Sequence, residues 1–203
     1  SILSNEKDLD FDTILNEETA SHMIENYVSN FELPMGVAPL FLIDQKTYHI
    51  PMVTEESSVI AAASKAAKIV ADNNGFFTTI HNTLKQGEIA YHKPNNPKRL
   101  KNYVLDNKDV LFELANTSYP SIVKRGGGIR DIKVRETDNF VIIDVYMDTQ
   151  EAMGANMLNT VLEALAQHIS QQTHEVHLFA ILSNLTTKCL VSATCTIQSL
   201  PLA

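Results

Sequence analysis

Three places in the chain set reactive side chains where a backbone junction could display them. At Glu55-Glu56-Ser57-Ser58 an apolar run from Tyr48 to Val53 gives way to a helix-like one. A glutamate held there in an apolar pocket behind Pro51, Met52 and Val53 would have a raised pKa and could donate a proton near neutral pH. The same acids could instead favour the helix N-terminus by charge, with Ser57 or Ser58 as its cap. At Asp148-Thr149-Gln150-Glu151-Ala152-Met153-Gly154-Ala155-Asn156 an aspartate ends one run and a glycine opens another. Glycine at a helix start lets an anion approach free N–H donors, and an aspartate at a strand end can take two ribose hydroxyls. An ordinary strand-to-helix turn has the same spacing, and the segment lacks G-x-G-x-x-G, so no Rossmann fold follows. Arg125-Gly126-Gly127-Gly128 could wrap a phosphate or give a flexible entry to the next strand. Ser183 and Asn184 end a further strand-like run and could line the Asp148 cleft.

Other reactive residues point to less. The seven histidines are scattered, and His174 and His177 have no cysteine or carboxylate cluster beside them, so no metal is expected. Cys189 and Cys195 fall in one strand-like run, roughly 20 Å apart at strand rise, beyond disulfide reach. Two such thiols suit a reducing, cytoplasmic setting. Lys188 reads as a solvated strand residue.

The elements that must position these groups follow from periodicity. A helix is expected over Thr19 to Asn30, stopped by Leu33-Pro34-Met35-Gly36. Strands Val37 to Ile43 and Tyr48 to Val53 flank a hairpin signal, Asp44-Gln45-Lys46-Thr47. A helix then runs to about Asp72, with alanines at 61, 62, 63, 66, 67 and 71 covering nearly every side, so it should be buried in something large. From Gly87 the order is strand (87–92), helix (98–116), strands (129–135 and 140–147), helix (155–170) and strand (176–182), with a last strand over 189–197. That order predicts an α+β fold: a ferredoxin-like small domain, an antiparallel sheet with its helices on one face. Residues 84–203 make this domain. Residues 1–83 form part of a larger α+β domain too short to bury its own apolar helix, and so incomplete.

The composition narrows the function. The chain has 203 residues, 44% of them apolar, and a net charge of −8. A core is affordable in size, disorder is excluded, and neither nucleic acid nor an anionic membrane is the expected partner. No run of eighteen apolar residues occurs and Ser1 to Asp12 is acidic, so neither a spanning helix nor a signal peptide is expected.

Several segments resemble the 3-hydroxy-3-methylglutaryl-CoA (HMG-CoA) reductases, in family order. They are Glu25-Asn26-Tyr27-Val28, Leu33 to Ala38, Tyr48 to Glu56, Ser58 to Ser64, Pro120-Ser121-Ile122, Arg125 to Gly128, Asp148-Thr149 with Ala152 to Asn156, and Ile181 to Asn184. They are most similar to the soluble bacterial class, over the N-terminal portion only. The resemblance implies reduction of HMG-CoA to mevalonate and free CoA by two hydride transfers from NADPH or NADH. It implies Glu56 as proton donor and Ser58 at the substrate's carboxylate end. It gives the dinucleotide to Asp148, Met153, Gly154, Ala155 and Asn156, with Ser183 and Asn184 lining the cleft. It further implies a homodimer, with Glu56 of one subunit facing the nucleotide turn of the other, and a nucleotide domain inserted into a CoA-binding domain.

The chain departs from the family pattern in ways that set expectations. The family's catalytic lysine, aspartate and C-terminal histidine find no match here, nor does its arginine-bearing N-terminal segment. Without a cation for the developing oxyanion, this piece alone should not turn over. Ser57 stands where proline is usual, and Asn74 and Ser29 where glycine is usual; Asn tolerates positive φ and serine can cap. The rival reading is a non-catalytic ferredoxin-like module that binds a small ligand or dimerises. It predicts no nucleotide at Gly154. The residues do not choose between NADH and NADPH: Asp148 would repel a 2′-phosphate, and a neighbouring cation would reverse that.

Overall fold

The structure is a computed structural model that describes residues 15–198. The chain divides into two units: one takes the described residues up to Thr78 and again from Ala193, the other Thr79–Ser192. The expected boundary at residues 83 and 84 moves five residues earlier, and the chain end leaves the second unit. The reason is strand pairing: β3 (Phe77–Thr83) and β8 (Cys189–Thr194) hydrogen-bond to each other as the outgoing and returning chain.

In the first unit, α1 (Glu17–Met23) is capped by the Asn16 side chain and stops well short of Asn30. Ile24 turns extended and Asn26 takes φ 53°. Val28 and Phe31 are solvent-exposed, and a helix without a buried apolar face has little to sustain it. Strands β1 (Met35–Ile43) and β2 (Lys46–Val53) pair antiparallel with Ile43 opposite Lys46. The four-residue turn expected there shrinks to Asp44-Gln45, both at positive φ, whose twist matches that of paired strands. Helix α2 (Val59–Ala71) packs on β1 through Ala67 and Val70. Ala61, Ala62 and Ala66 are exposed, so the chain by itself covers one side of a helix expected to be covered on nearly all. Asn74 sits at φ 76°, a left-handed backbone region that asparagine tolerates and glycine favours.

The second unit has the predicted topology. Strands β5 (Gly128–Glu136), β6 (Phe140–Asp148), β4 (Lys85–His92) and β7 (Phe179–Leu182) lie in that order, with every pairing antiparallel. One face carries Ile89, Tyr91, Ile132, Ile143 and Val145 against Leu100, Val104 and Leu111 and against Leu158, Leu162, Leu165 and Ile169, all buried. These helix residues come from α3 (Pro97–Asp106), α4 (Lys108–Ser118) and α6 (Ala155–Thr173). The single helix expected over 98–116 is broken at Asn107, which leaves helical geometry (φ −115°, ψ 25°) as its amide donates to the Tyr103 carbonyl. A short α5 (Pro120–Lys124) follows, unforeseen because five residues carry no periodicity. The strands expected over 176–182 and 189–197 are shorter, since Val176 and Ile197 stay exposed outside any ladder and exposed Leu178 adds only one amide bond, to the Ala90 carbonyl, before β7 begins.

A carboxylate fixes the entry to α3. Glu175 is 5% exposed and accepts from the Asn95 and Asn96 amides at 2.8 and 2.7 Å. Glu175→Ala leaves those two donors unpaired and is expected to cost about 2–3 kcal/mol, read as a lower urea midpoint at unchanged slope. An unchanged midpoint would refute this bracing role.

Candidate functional site

The second unit gathers its chemistry-bearing residues at one end of the sheet. The ends of β6 and β7 and the starts of β4 and β5 lie together there, with Gly128 opposite Asp148 and Gly87 opposite Leu182. Asp148 and Ser183 are thus two strands apart, about 10 Å laterally.

The turn after β6 is held by its own side chains. Thr149, 1% exposed, donates its hydroxyl to the Ala152 carbonyl, and Ala152 N–H returns to the Thr149 carbonyl. Gly154 is the N-cap of α6 at φ 84°, and a Cβ there would fall 2.3 Å from Thr149 Cγ2, so only glycine fits. No side chain caps the helix and its first turn has no acid. The first-turn N–H groups of α6 therefore lack intrahelical partners at the positive end of a 19-residue helix. Met153 and Asn156 are exposed beside them, Gly154 buried and Ala155 half-buried.

Asp148 is not a free acceptor. Its carboxylate accepts from Gln150 N and Nε2, both at 2.9 Å, and from Arg130 Nη2 at 3.2 Å. The same arginine donates to the carbonyls of Gly126 at 2.6 Å and Gly127 at 3.3 Å. Arg130 occupies a β-bulge between Ile129 and Asp131, which turns it out of strand alternation toward Asp148. Sequence reasoning missed it, since a bulge leaves no mark in the period of a strand.

The glycine loop does not grip a phosphate with its backbone. Gly126 and Gly127 N–H groups bond to the carbonyls of Val123 and Ile122, closing α5. The loop lies close because a Cβ on Gly127 would fall 2.5 Å from the Asp148 carbonyl oxygen. Any hold on an anion here must come from arginine side chains. Arg125 ties only Nε to the Ser121 carbonyl and is exposed.

Ser183 is 5% exposed and committed: its hydroxyl donates to Glu88 at 3.2 Å and accepts from Leu185 N–H at 3.1 Å. Glu88 belongs to a network that the sequence did not reveal, in which Arg135 bridges Glu88 (2.8 Å) and Asp144 (2.7 Å) and Gln86 donates to Asp144 (3.0 Å). Asn184, beside it, is exposed.

In the first unit, Glu55, Glu56, Ser57 and Ser58 form the turn into α2, and all four are exposed. The apolar pocket expected behind Pro51, Met52 and Val53 is not formed around Glu56 within the chain by itself: Pro51 and Val53 are exposed and Met52 half-buried. The expected serine cap is also corrected. Ser58 is the N-cap residue but lies at φ 72°, where its hydroxyl makes no capping bond. Cys189 and Cys195 are free thiols. Among the described residues no group of His, Cys, Asp and Glu could hold a metal, and no helix is long and apolar enough to cross a membrane.

Fold and turn together define an α+β protein whose ferredoxin-like unit carries an uncapped, glycine-started helix of the kind that receives anions. The family model for hydroxymethylglutaryl-coenzyme A reductase matches residues 3–201, and the chain belongs to that family. A 3-hydroxy-3-methylglutaryl-coenzyme A reductase of Archaeoglobus fulgidus is 42% identical over 172 residues, which cover 83% of this chain and 39% of the relative. A probable enzyme of the same name from Borreliella burgdorferi is 33% identical over 171 residues, with the same two coverages. The class II reductase of Streptococcus pneumoniae, solved bound to NADPH in open conformations, superposes with a TM-score of 0.84 at 44% identity, covering 88% of this chain and 49% of that one. The chain thus spans about two fifths of the length of the curated relatives it matches.

Proposed function

We propose that this chain forms part of an HMG-CoA reductase, converting HMG-CoA to mevalonate and free CoA with NADPH or NADH. The observation that carries this reading is the α6 start: unpaired helix amides, a glycine whose Cβ would collide with Thr149, and a paired acid at the adjoining strand end. Two dinucleotides, bound in turn, would each supply one hydride. Asp148, Met153, Gly154, Ala155 and Asn156 hold each one, its diphosphate meeting the α6 amides, and Ser183 and Asn184 border it. Glu56 donates the proton to the carbonyl under reduction, and Ser58 binds the substrate's carboxylate end.

An exposed Glu56 fits this reading if a second subunit covers it, so we place the working site across a homodimer, Glu56 of one subunit serving the nucleotide turn of its partner. A dimer of this kind works in the cytoplasm, off the membrane. The test uses the chain within its complete reading frame. NADPH or NADH should bind, Asp148→Ala should weaken binding about tenfold, and two reduced dinucleotides should be consumed per mevalonate formed. Tight dinucleotide binding indifferent to Asp148, or absence of binding, would remove the reading.

A further inference from the structure

We infer that Glu88 is a positioning residue for the dinucleotide: its carboxylate, aimed by Arg135, fixes the Ser183–Asn184 turn at the edge of the cleft. The inference rests on the reading above, in which Ser183 and Asn184 border the bound dinucleotide. The turn follows β7, an edge strand whose one ladder partner among the described residues is β4. The same strand anchors the turn at two further points. Ser183 N–H donates to the Gln86 carbonyl at 2.9 Å, and the Ser183 hydroxyl donates to Glu88 Oε2 at 3.2 Å. That hydroxyl also accepts from Leu185 N–H at 3.1 Å, so the grip of Glu88 reaches both sides of the exposed Asn184.

Glu88 does not hold this place unaided. It stands directly opposite Asp144 in the β4–β6 ladder, where two carboxylates repel each other. Asp144 has no room to withdraw: its side chain is 4% exposed, and its other oxygen accepts from Gln86 Nε2 at 3.0 Å. Arg135 reaches across from β5 and resolves the conflict, donating Nε to Asp144 at 2.7 Å and Nη2 to Glu88 Oε2 at 2.8 Å. One oxygen of Glu88 therefore serves both Arg135 and Ser183. The guanidinium that offsets the acid's charge also aims the oxygen on which the serine depends. Two nitrogens set in a planar fork do this, whereas a lysine has one nitrogen to divide between the acids. The chain of bonds crosses the sheet from β5 and ends on the turn beside the cleft, so the turn's position is its consequence.

The experiment measures, on the chain within its complete reading frame, the dissociation constant of whichever of NADPH and NADH the parent binds more tightly. Steady-state constants and the thermal midpoint are read beside it. Glu88→Leu and Arg135→Gln should each raise Kd and the dinucleotide KM about fivefold, the weight of one hydrogen bond, with kcat within about twofold of the parent. Glu88→Gln keeps an acceptor for the serine and should bind within about twofold of the parent. Ser183→Ala should weaken binding about as much as Glu88→Leu, and the double variant no further, because Glu88 acts through the serine. A merely structural Glu88 would lower the thermal midpoint and leave Kd alone, or would add its effect to that of Ser183→Ala, and either result overturns the inference. Should the larger changes fail to fold, Arg135→Lys decides: Kd raised about threefold in the parent and unmoved in Ser183→Ala supports it, and any other pattern refutes it. A parent that binds neither dinucleotide would end the dinucleotide reading itself, and this inference with it.

Discussion

Glu56→Gln, made in the complete reading frame, is expected to lower kcat about 10²- to 10⁴-fold, the range ascribed to a positioned general acid. Dinucleotide binding should be unchanged. The fold should survive intact, because Glu56 is exposed, lies outside α2 and makes no hydrogen bond among the described residues. A thermal midpoint equal to the parent's, beside the lost rate, separates chemistry from stability. Subunit mixing tests the cross-subunit arrangement. Glu56→Gln and Gly154→Ala homodimers should each be nearly inactive, whereas a re-associated equal mixture should recover about a quarter of parent activity, since half its dimers hold one intact site. No recovery from a mixture shown to exchange subunits would place both groups on one subunit and refute the arrangement. A kcat within about threefold of the parent would end the assignment of Glu56 as the acid.

The second large effect lies at Gly154. Any side chain there meets two independent penalties: a positive φ of 84° and a Cβ 2.3 Å from Thr149 Cγ2 and 2.7 Å from its Cβ. Thr149 has nowhere to retreat, being buried and bonded to the Ala152 carbonyl. Gly154→Ala is expected to cost about 2–4 kcal/mol, strain and crowding together, and to abolish measurable dinucleotide binding by shifting the α6 start. Adding Thr149→Ala removes the worst collision while leaving the backbone strain and the Thr149 Cβ. The double variant should therefore recover part of the stability and little of the binding. Full stability in the single variant would show that the turn is not built around that glycine.

The same contrast between local and long-range causes explains what the sequence disclosed. The topology of the second unit was legible because its helices repeat apolar residues every three to four positions, as in Leu158, Leu162, Leu165 and Ile169, and its strands every two, as in Val141, Ile143 and Val145. The two strand-to-helix junctions were legible for the same reason, since a change of period marks them. Boundaries failed where packing overruled propensity. Helix α1 ended early with Val28 and Phe31 left in solvent, and the expected long helix broke where the Asn107 side chain bonded the Tyr103 carbonyl.

The candidate site was half legible. Glu56, Asp148 and Gly154 stand in junctions that any reader of periods would inspect, and their residue types name the chemistry. Arg130 does not stand out, for its partnership with Asp148 spans 18 residues and depends on a bulge that re-aims one side chain. Nor does the Glu88–Arg135–Asp144 bridge, assembled from three strands. The sequence by itself determined the family, the ferredoxin-like order of elements and the residues at the two junctions, because period and local turn chemistry are written within a few neighbouring positions. Only the tertiary structure decided that the acid ending β6 is already paired, that the glycine loop keeps its amides for α5, and that the chain from Ala193 onward returns to the first unit. Those outcomes rest on hydrogen bonds between residues far apart in the chain, which become neighbours only after the sheet has formed.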